Sequence, residues 1–152
     1  MLLYNKMKLK HYKSYLSEYQ ELVVCINIGI ISFIADIYSG KNKLYKNCKD
    51  HSYTLTILFL HHLISSFMYF GWISNNKKIL IFHIFMITIV LLFQLNNKLR
   101  CPLTDIVNNN CNITRGNYLR DFLYFSNIKK NNLYPVYIFF SFLISCVKLY
   151  NL

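Results

Sequence analysis

The chain has 152 residues, of which 55% are hydrophobic, 17% are aromatic and only 15% carry a charge. Soluble domains average about 45–50% apolar and about 25% charged residues, so this balance excludes a disordered polymer and an ordinary water-soluble enzyme. The net charge is +11, yet 16 of the 17 Lys and Arg residues lie outside four apolar runs. This segregation of charge predicts a small, basic, multi-pass membrane protein.

The four apolar runs cover residues 22–38, 53–73, 79–95 and 133–150. A helix needs roughly 20 apolar residues to cross the hydrocarbon core, with about 17 as the lower limit. The run at 22–38 is the least apolar of the four, because it contains Asp36. The sequence therefore predicts an all-α bundle of four transmembrane helices within residues 22–152, with three spans as the alternative.

Only the five polar residues 74–78 separate the second apolar run from the third. Two antiparallel helices are commonly joined by a loop of about 2–5 residues. The sequence therefore predicts a central antiparallel helical hairpin. In the fourth run, Lys148 lies near the end, where its long side chain is expected to reach the membrane surface.

Two stretches outside the spans have the composition of membrane-surface helices. Residues 1–21 repeat Tyr and Leu at helical spacing beside four Lys, and residues 118–125 in the long loop 96–132 are similarly amphipathic. Such helices lie at the headgroup level, although an apolar stripe that docks on the bundle has the same pattern. Lysines next to spans favour anionic headgroups. Because the basic residues are mostly Lys and scattered, no nucleic acid is expected as a partner.

The long loop carries two candidate modifications. Cys101 and Cys111 are separated by nine residues, a spacing that predicts a disulfide if the loop lies in an oxidising compartment. Asn112 begins an Asn-Ile-Thr sequon and is a candidate for glycosylation, although chance occurrence is an alternative in this Asn-rich chain. The Lys and Arg residues divide ten to seven in favour of the two long loops, which favours cytosolic loops. The orientation stays open.

Four ionisable residues inside the spans form a candidate intramembrane polar site: Asp36, His61, His62 and His83. Intramembrane ionisable residues are functional candidates, but polar side chains also join helices by hydrogen bonds. His61 and His83 lie at different distances from the turn between their helices, roughly 12 Å apart in depth at 1.5 Å per residue. This difference argues against one haem iron between them. No metal site, cofactor or catalytic residue is predicted.

Each span also has a stripe of small or polar residues, the pattern by which helices associate in lipid. These stripes predict the faces on which the helices pack. The members are Cys25, Gly29, Ser32 and Asp36 in the first run, His61, His62, Ser65, Ser66 and Tyr69 in the second, His83 and Gln94 in the third, and Ser141, Ser145 and Lys148 in the fourth.

Several short elements together resemble a family of small multi-pass membrane proteins of unknown function. The matching elements are His61-His62, Gly71-Trp72, His83, Cys101-Pro102-Leu103-Thr104, Val107-Asn108, Cys111 and Arg120-Asp121-Phe122-Leu123-Tyr124. Members of that family occur in bacteria, with similar versions in large DNA viruses, and the resemblance covers about residues 55–125. It implies a multi-pass membrane fold and draws attention to the Cys-Pro-Leu-Thr motif. The family has no established activity that could be carried over.

These observations lead to one expectation and two alternatives. We expect a non-enzymatic, structural or interaction component of a membrane, with the lipid bilayer, other membrane proteins or a second copy of the chain as partners. The membrane is expected to be cellular or viral, a host endomembrane included. The alternatives are a membrane redox or metal-binding protein that uses the histidines and the loop between Cys101 and Cys111, and an oligomeric channel lined by His61, His62 and Asp36.

Overall fold

The computed structural model describes residues 19–38, 48–97, 100–113 and 134–152. These residues form five α-helices: α1 Gln20–Asp36, α2 His51–Phe70, α3 Lys77–Asn96, α4 Pro102–Asn110 and α5 Tyr134–Asn151. A 3-10 turn, Gly71–Ile73, continues α2. The predicted all-α class is confirmed for the described residues. The predicted surface helices at residues 1–21, apart from their last three positions, and at 118–125 lie outside them.

The helices begin where polar side chains satisfy the first backbone amides. Asp50 accepts a hydrogen bond from the amide of Tyr53 at the start of α2, at 2.8 Å. Asn76 accepts from the amide of Lys78 at the start of α3, at 2.9 Å. Such capping residues stand just before the apolar runs. Both helices therefore start two residues earlier than their hydrophobicity predicts.

Two helical segments are long and apolar enough to cross a membrane by length and composition, His51–Ile73 and Lys77–Asn96. They are the two halves of the predicted hairpin. α1 has 17 residues and α5 has 18. In the described part of the chain, length and composition thus support two of the four predicted spans.

α1 packs antiparallel along α2, and this is the most extensive helix pair in the described part of the chain. Its buried residues are Cys25, Gly29, Ser32 and Asp36, so the predicted stripe is confirmed. Gly29 allows the close approach: a Cβ atom placed there would lie 3.2 Å from the carbonyl oxygen of His62. The hydroxyl of Ser66 donates a hydrogen bond to the carbonyl oxygen of Cys25 farther along the same interface.

α2 and α3 run antiparallel from their shared turn, but they touch mainly near that turn. There the rings of Phe67 and Phe82 lie 5.4 Å apart, and a nitrogen of His83 lies 3.0 Å from the carbonyl oxygen of Met68. Farther from the turn a cavity separates the two helices. The predicted hairpin is therefore present in the structure, with arms that diverge.

α5 runs antiparallel along α3, from a contact near the turn to one at the far end of α3. Ser145 is hydrogen-bonded to His83 at 2.8 Å, and Gln94 donates to the hydroxyl of Tyr134 at 3.3 Å. The buried residues of α5 include Ser141 and Ser145, as the stripe predicts. At its end, the ammonium group of Lys148 donates to the carbonyl oxygens of Trp72 and Ile73 at 3.1 Å and 2.9 Å.

α4 lies within the segment that the sequence predicts as a loop, and it changes the cysteine pairing. Its far end is joined to the start of α2 by a disulfide between Cys48 and Cys111, and Cys101 is a free thiol. The predicted disulfide between Cys101 and Cys111 is therefore wrong. The nine residues of α4 separate these two cysteines. Ten steps of 1.5 Å place them roughly 15 Å apart, beyond the reach of a disulfide.

α4 is held against α2 along its whole length. Val107 packs on Leu58, and both are fully buried. Asn110 donates to the hydroxyl of Thr54 at 2.6 Å and to the backbone carbonyl of Asp50 at 2.9 Å. These contacts run from the start of α2 towards its middle, so α4 is antiparallel to α2. The first residues of α4 therefore lie next to the middle of α2.

The observed pairing leads to a direct test. We expect Cys48→Ser and Cys111→Ser each to abolish the mobility shift that reduction causes on a non-reducing gel, whereas Cys101→Ser retains it. Loss of a native disulfide costs about 2–5 kcal/mol, so both variants should also unfold at lower temperature in detergent. A shift that disappears only in Cys101→Ser and Cys111→Ser would instead support the pairing predicted from the sequence.

Candidate functional site

A cavity of about 630 Å³ lies between the diverging arms of α2 and α3 and is closed by the first residues of α4 and α5. We call it the apolar chamber. Its lining comprises His61, Ile64, Ser65, Met68, Tyr69, Met86, Ile89, Val90, Phe93, Gln94, Cys101, Pro102, Leu103, Thr104, Tyr134 and Pro135. Binding sites for small molecules are typically cavities of about 300–1,000 Å³ with mostly apolar walls and a few polar groups. The chamber meets this description.

Among the polar groups of the chamber wall, a thiol lies next to an imidazole. The sulfur of Cys101 lies 3.6 Å from Nδ1 of His61. The hydroxyl of Ser65, one turn farther along α2, lies 3.4 Å from Nε2 of the same ring. His61 is only 4% exposed, and its ring stands edge-on to that of His62 at 5.6 Å. These contacts fix the orientation of the imidazole that faces the thiol.

The local sequence explains why the thiol lies at the start of a helix. Cys101 precedes Pro102, and a residue before proline favours an extended backbone, here with φ −69° and ψ 122°. Proline suits the first helical position because its missing N–H has no partner there in any case. The side chain of Asn97 secures the incoming chain by donating to Asp105 at 2.7 Å and to the carbonyl oxygen of Arg100 at 3.3 Å.

The surroundings of Cys101 favour its ionised form. Burial raises the pKa of the thiol, but the hydrogen bond and positive charge of His61, together with the backbone amides of Thr104 and Leu103, outweigh burial and lower the pKa from 9.0 to about 7. A thiolate rather than a thiol is the nucleophile in cysteine chemistry. Cys101 is therefore ionised more readily than an ordinary cysteine thiol.

The second histidine of the pair belongs to a different place in the structure. Ser32 is hydrogen-bonded to Nδ1 of His62 at 3.0 Å, and Asp36 lies 3.4 Å from Nε2. Serine, histidine and aspartate also form hydrolytic triads, which act on substrate at an accessible nucleophile. Here all three side chains are at most 5% exposed, and none lines the apolar chamber. This group joins α1 to α2 by buried hydrogen bonds.

His83 occupies a third place, near the turn of the hairpin. Its two ring nitrogens lie 2.8 Å from the hydroxyl of Ser145 and 3.0 Å from the carbonyl oxygen of Met68. Its ring also packs directly on Gly71, where there is no room for a Cβ atom. His83 thus joins α2, α3 and α5. Among the described residues, no three His, Cys, Asp or Glu side chains are grouped so that they could bind one metal ion.

The four residues predicted as one intramembrane polar site are therefore divided among three locations. His61 faces the chamber, His62 and Asp36 join α1 to α2, and His83 joins α3 to its neighbours. The sequence analysis named His61 and Cys101 together, in the family resemblance and in the redox alternative, but it predicted no direct contact between them because it assigned Cys101 to a disulfide. The signal that could have found the pair is the Cys-Pro dipeptide, which is typical of a helix start.

The predicted glycosylation residue Asn112 follows α4 directly. Its side chain is exposed, and its backbone has a positive φ of 51°. Asparagine tolerates this left-handed conformation better than most residues, which suits it to the turn that ends α4. The third sequon residue, Thr114, lies outside the described residues.

Comparison of the chain with protein-family models, with curated proteins and with solved structures finds no match. The family resemblance noted from the sequence therefore stays a prediction. The four residues of its Cys-Pro-Leu-Thr motif, Cys101 to Thr104, all lie on the wall of the apolar chamber. The site is accordingly interpreted from its own geometry.

The thiolate interpretation has a measurable pH dependence. In a variant in which Cys25 and Cys146 are replaced by Ser, we expect the rate of alkylation by iodoacetamide to reach half its maximum near pH 7, because the thiolate reacts. Loss of the imidazole in His61→Gln should move this midpoint upwards towards 9.0, the ordinary value of a thiol. The profile is measured by mass spectrometry of the protein in detergent.

A matched control for this measurement is Ser32→Ala, which alters the histidine pair at His62 but not at His61. The pH at which Ser32→Ala reaches half its maximal alkylation rate should equal that of the parent. Identical profiles for the parent and His61→Gln would show that the imidazole does not set the reactivity of Cys101.

Proposed function

We propose that this chain is an integral membrane protein with four spans, α1, α2, α3 and α5. The support is the surface composition of the helices. Large apolar side chains cover the outward faces of α1, α3 and α5, among them Ile31, Phe85, Leu92, Phe139 and Val147, each more than half exposed. Contiguous apolar surface of this extent suits a lipid environment better than water.

The two ends of the proposed bundle differ chemically. One end holds the disulfide Cys48–Cys111 and the exposed Asn112. The opposite end holds the hairpin turn, with the exposed residues Lys77 and Lys78. Disulfides persist in oxidising compartments. We therefore place the disulfide end outside the cytosol and the hairpin turn inside it, against the slight excess of Lys and Arg in the long loops.

This orientation is tested by the sequon. When the full chain is expressed in a eukaryotic secretory pathway, we expect Asn112 to receive a glycan, seen as a gel shift that an N-glycosidase removes. Asn112→Gln and Thr114→Ala should both lack the shift, and Asn109→Gln, outside the sequon, should keep it. The opposite result would be a Lys78→Cys variant that an impermeant maleimide labels from outside the cell, together with no glycan on Asn112. That result would show the reverse orientation.

We infer further that the biochemical function of the chain is covalent thiol chemistry at Cys101, with His61 as its acid–base partner. The observation that carries this proposal is the 3.6 Å contact between the sulfur and Nδ1 of His61 on the wall of the apolar chamber. A nucleophile next to a base, with the base oriented by a third group, is the common signature of nucleophilic catalysis. Ser65 is that third group here.

Acyl transfer suits this thiol better than disulfide exchange. A dithiol mechanism requires a second thiol within bonding reach, and Cys111 is joined to Cys48 at the far end of α4. The other two free cysteines of the described residues are Cys25, buried in α1, and Cys146, in the last turns of α5. Neither lines the chamber. A thiolate with no resolving thiol beside it is suited to attack on a carbonyl carbon.

The chemistry then follows in one balanced step. The thiolate of Cys101 attacks the carbonyl carbon of an ester or thioester, and a new carbon–sulfur bond forms as the bond to the leaving group breaks. The proton held on His61 passes to the leaving oxygen or sulfur. The positive end of the α4 dipole lies beside the developing negative charge and stabilises it.

A structural or interaction role, the function predicted from the sequence, is the second candidate. The buried group of Ser32, Asp36 and His62 favours it, because these residues join helices without forming an accessible site. The two candidates differ in one property. Only the thiol centre requires Cys101 to react faster with a carbonyl compound than an ordinary cysteine does.

The experiment is a pre-steady-state burst with p-nitrophenyl butyrate, a short activated ester, and purified protein in detergent. At pH 7 we expect one equivalent of nitrophenolate per chain, absent in Cys101→Ser. Because His61 lowers the pKa of the thiol, His61→Gln should leave less thiolate at pH 7, and the burst rate should fall at least tenfold. Cys146→Ser is the matched control and should retain the burst. A burst unaffected by either substitution at the site would favour the structural role.

A further inference from the structure

We propose that the apolar chamber holds the hydrocarbon chain of a long acyl group while its carbonyl carbon lies at Cys101, so that Cys101 becomes S-acylated by a membrane-borne acyl donor. This proposal rests on the thiol function proposed above and names its substrate class. It combines the chamber, the thiol and the position of both between α2 and α3.

The lining of the chamber fits a chain of methylene groups. Beyond the Cys101–His61 pair, the facing walls on α2 and α3 are built mainly from Ile64, Met68, Met86, Ile89 and Val90. Methionine side chains are flexible and adapt to irregular apolar ligands. A hydrocarbon chain would therefore meet mainly apolar side chains along these two helices, whose polar members in the wall are Ser65, Tyr69 and Gln94.

The polar and apolar parts of the chamber are arranged along one direction. His61 and Met68 both line it, seven residues apart on α2, which corresponds to roughly 10 Å along the helix. An acyl group with its carbonyl carbon at Cys101 would therefore extend its chain along α2 towards the hairpin turn. The carbonyl end meets the thiol, the imidazole and the first amides of α4, and the chain meets apolar side chains.

The chamber is only partly enclosed by protein. Phe93 lines the chamber and is 58% exposed. α2 and α3 are the two helical segments long and apolar enough to cross a membrane. A chain that is already in the bilayer would enter sideways between them and would not need to pass through water.

The reaction conserves atoms and charge with either of two acyl donors. With a phospholipid, the thiolate displaces the glycerol oxygen, the carbon–oxygen bond breaks, and the lysolipid alcohol takes the proton from His61. With an acyl thioester, the leaving thiol takes that proton instead. The product in both cases is a thioester on Cys101, and both donors present the same chemistry, a long acyl group bound to a leaving atom.

The test uses the full chain with two acyl probes. In one arm the protein is reconstituted in phosphatidylcholine vesicles whose 16-carbon chains carry a terminal alkyne. In the other, detergent-solubilised protein receives alkyne-tagged palmitoyl-coenzyme A. We expect a hydroxylamine-sensitive label on Cys101 in at least one arm, absent in Cys101→Ser and reduced at least tenfold in His61→Gln. The arm that labels identifies the donor.

A chamber-filling variant separates the chain site from the thiol itself. Val90 lines the chamber, and Leu92 on the same helix is 56% exposed outside it. We expect Val90→Trp to reduce labelling by the 16-carbon probes at least tenfold while the burst with the 4-carbon ester persists. Leu92→Trp is the matched control and should label normally. Ile89→Phe, a milder change in the same wall, replaces Val90→Trp if that variant does not fold.

The outcomes distinguish the two proposals. A normal burst with the short ester but no long-chain label in either arm would overturn the acyl-chain proposal and leave the thiol function standing. Equal long-chain labelling of Val90→Trp and Leu92→Trp would also overturn it, because the chain would then lie elsewhere. If the folded parent protein shows neither the burst nor the label, the proposed thiol function is overturned as well.

Discussion

The structure depends on the need of several buried polar groups of α2 for partners on neighbouring helices. Polar groups in apolar surroundings are costly when they are unpaired. His62 pairs with Ser32 and Asp36 of α1, and His61 faces Cys101 at the start of α4. The carbonyl oxygen of Met68 accepts from Ser141 of α5. Each contact fixes the position of one neighbouring helix along the axis of α2, so α2 determines how the other helices are arranged.

The two sides of α2 are packed very differently, and the difference produces the cavity. On the α1 side, Gly29 lets the backbones approach closely. On the α3 side, direct contact ends near the turn, and α4 and α5 enter between the separated arms. α4 occupies the first half of α2, where Leu58 and Val107 pack together. The chamber is the space that these helices leave, with the thiol at the junction of α2 and α4.

The sequence predicted the features that local hydrophobicity and spacing determine. The main helices lie within about two residues of the apolar runs, since a run and its capping residues are adjacent in the chain. The stripe of Cys25, Gly29, Ser32 and Asp36 was predicted correctly, because residues at helical spacing share a face. The four-span arrangement and the family resemblance were not tested in this way and stay predictions.

α4 and the cysteine pairing were not predictable in the same way. The segment Pro102–Asn110 ends in three asparagines and has little apolar content, so its own propensity favours a loop. A helix of nine residues is unstable alone and depends on tertiary packing. That packing is with Leu58, Thr54 and Cys48, more than forty residues earlier in the sequence. Without this long-range contact, the spacing of Cys101 and Cys111 indicates a disulfide.

Once α4 is formed, it explains how one short segment carries a cystine and a reactive thiol at once. In an oxidising compartment, two nearby thiols in a flexible loop would combine, and the nucleophile would be lost. α4 holds Cys101 and Cys111 at opposite ends of a helix, roughly 15 Å apart at 1.5 Å per residue. Cys111 is paired with Cys48, and Cys101 is turned towards His61 at the other end. In the proposed orientation, α4 therefore keeps Cys101 from forming a disulfide with Cys111. It also supplies the backbone amides that lower the pKa of the Cys101 thiol.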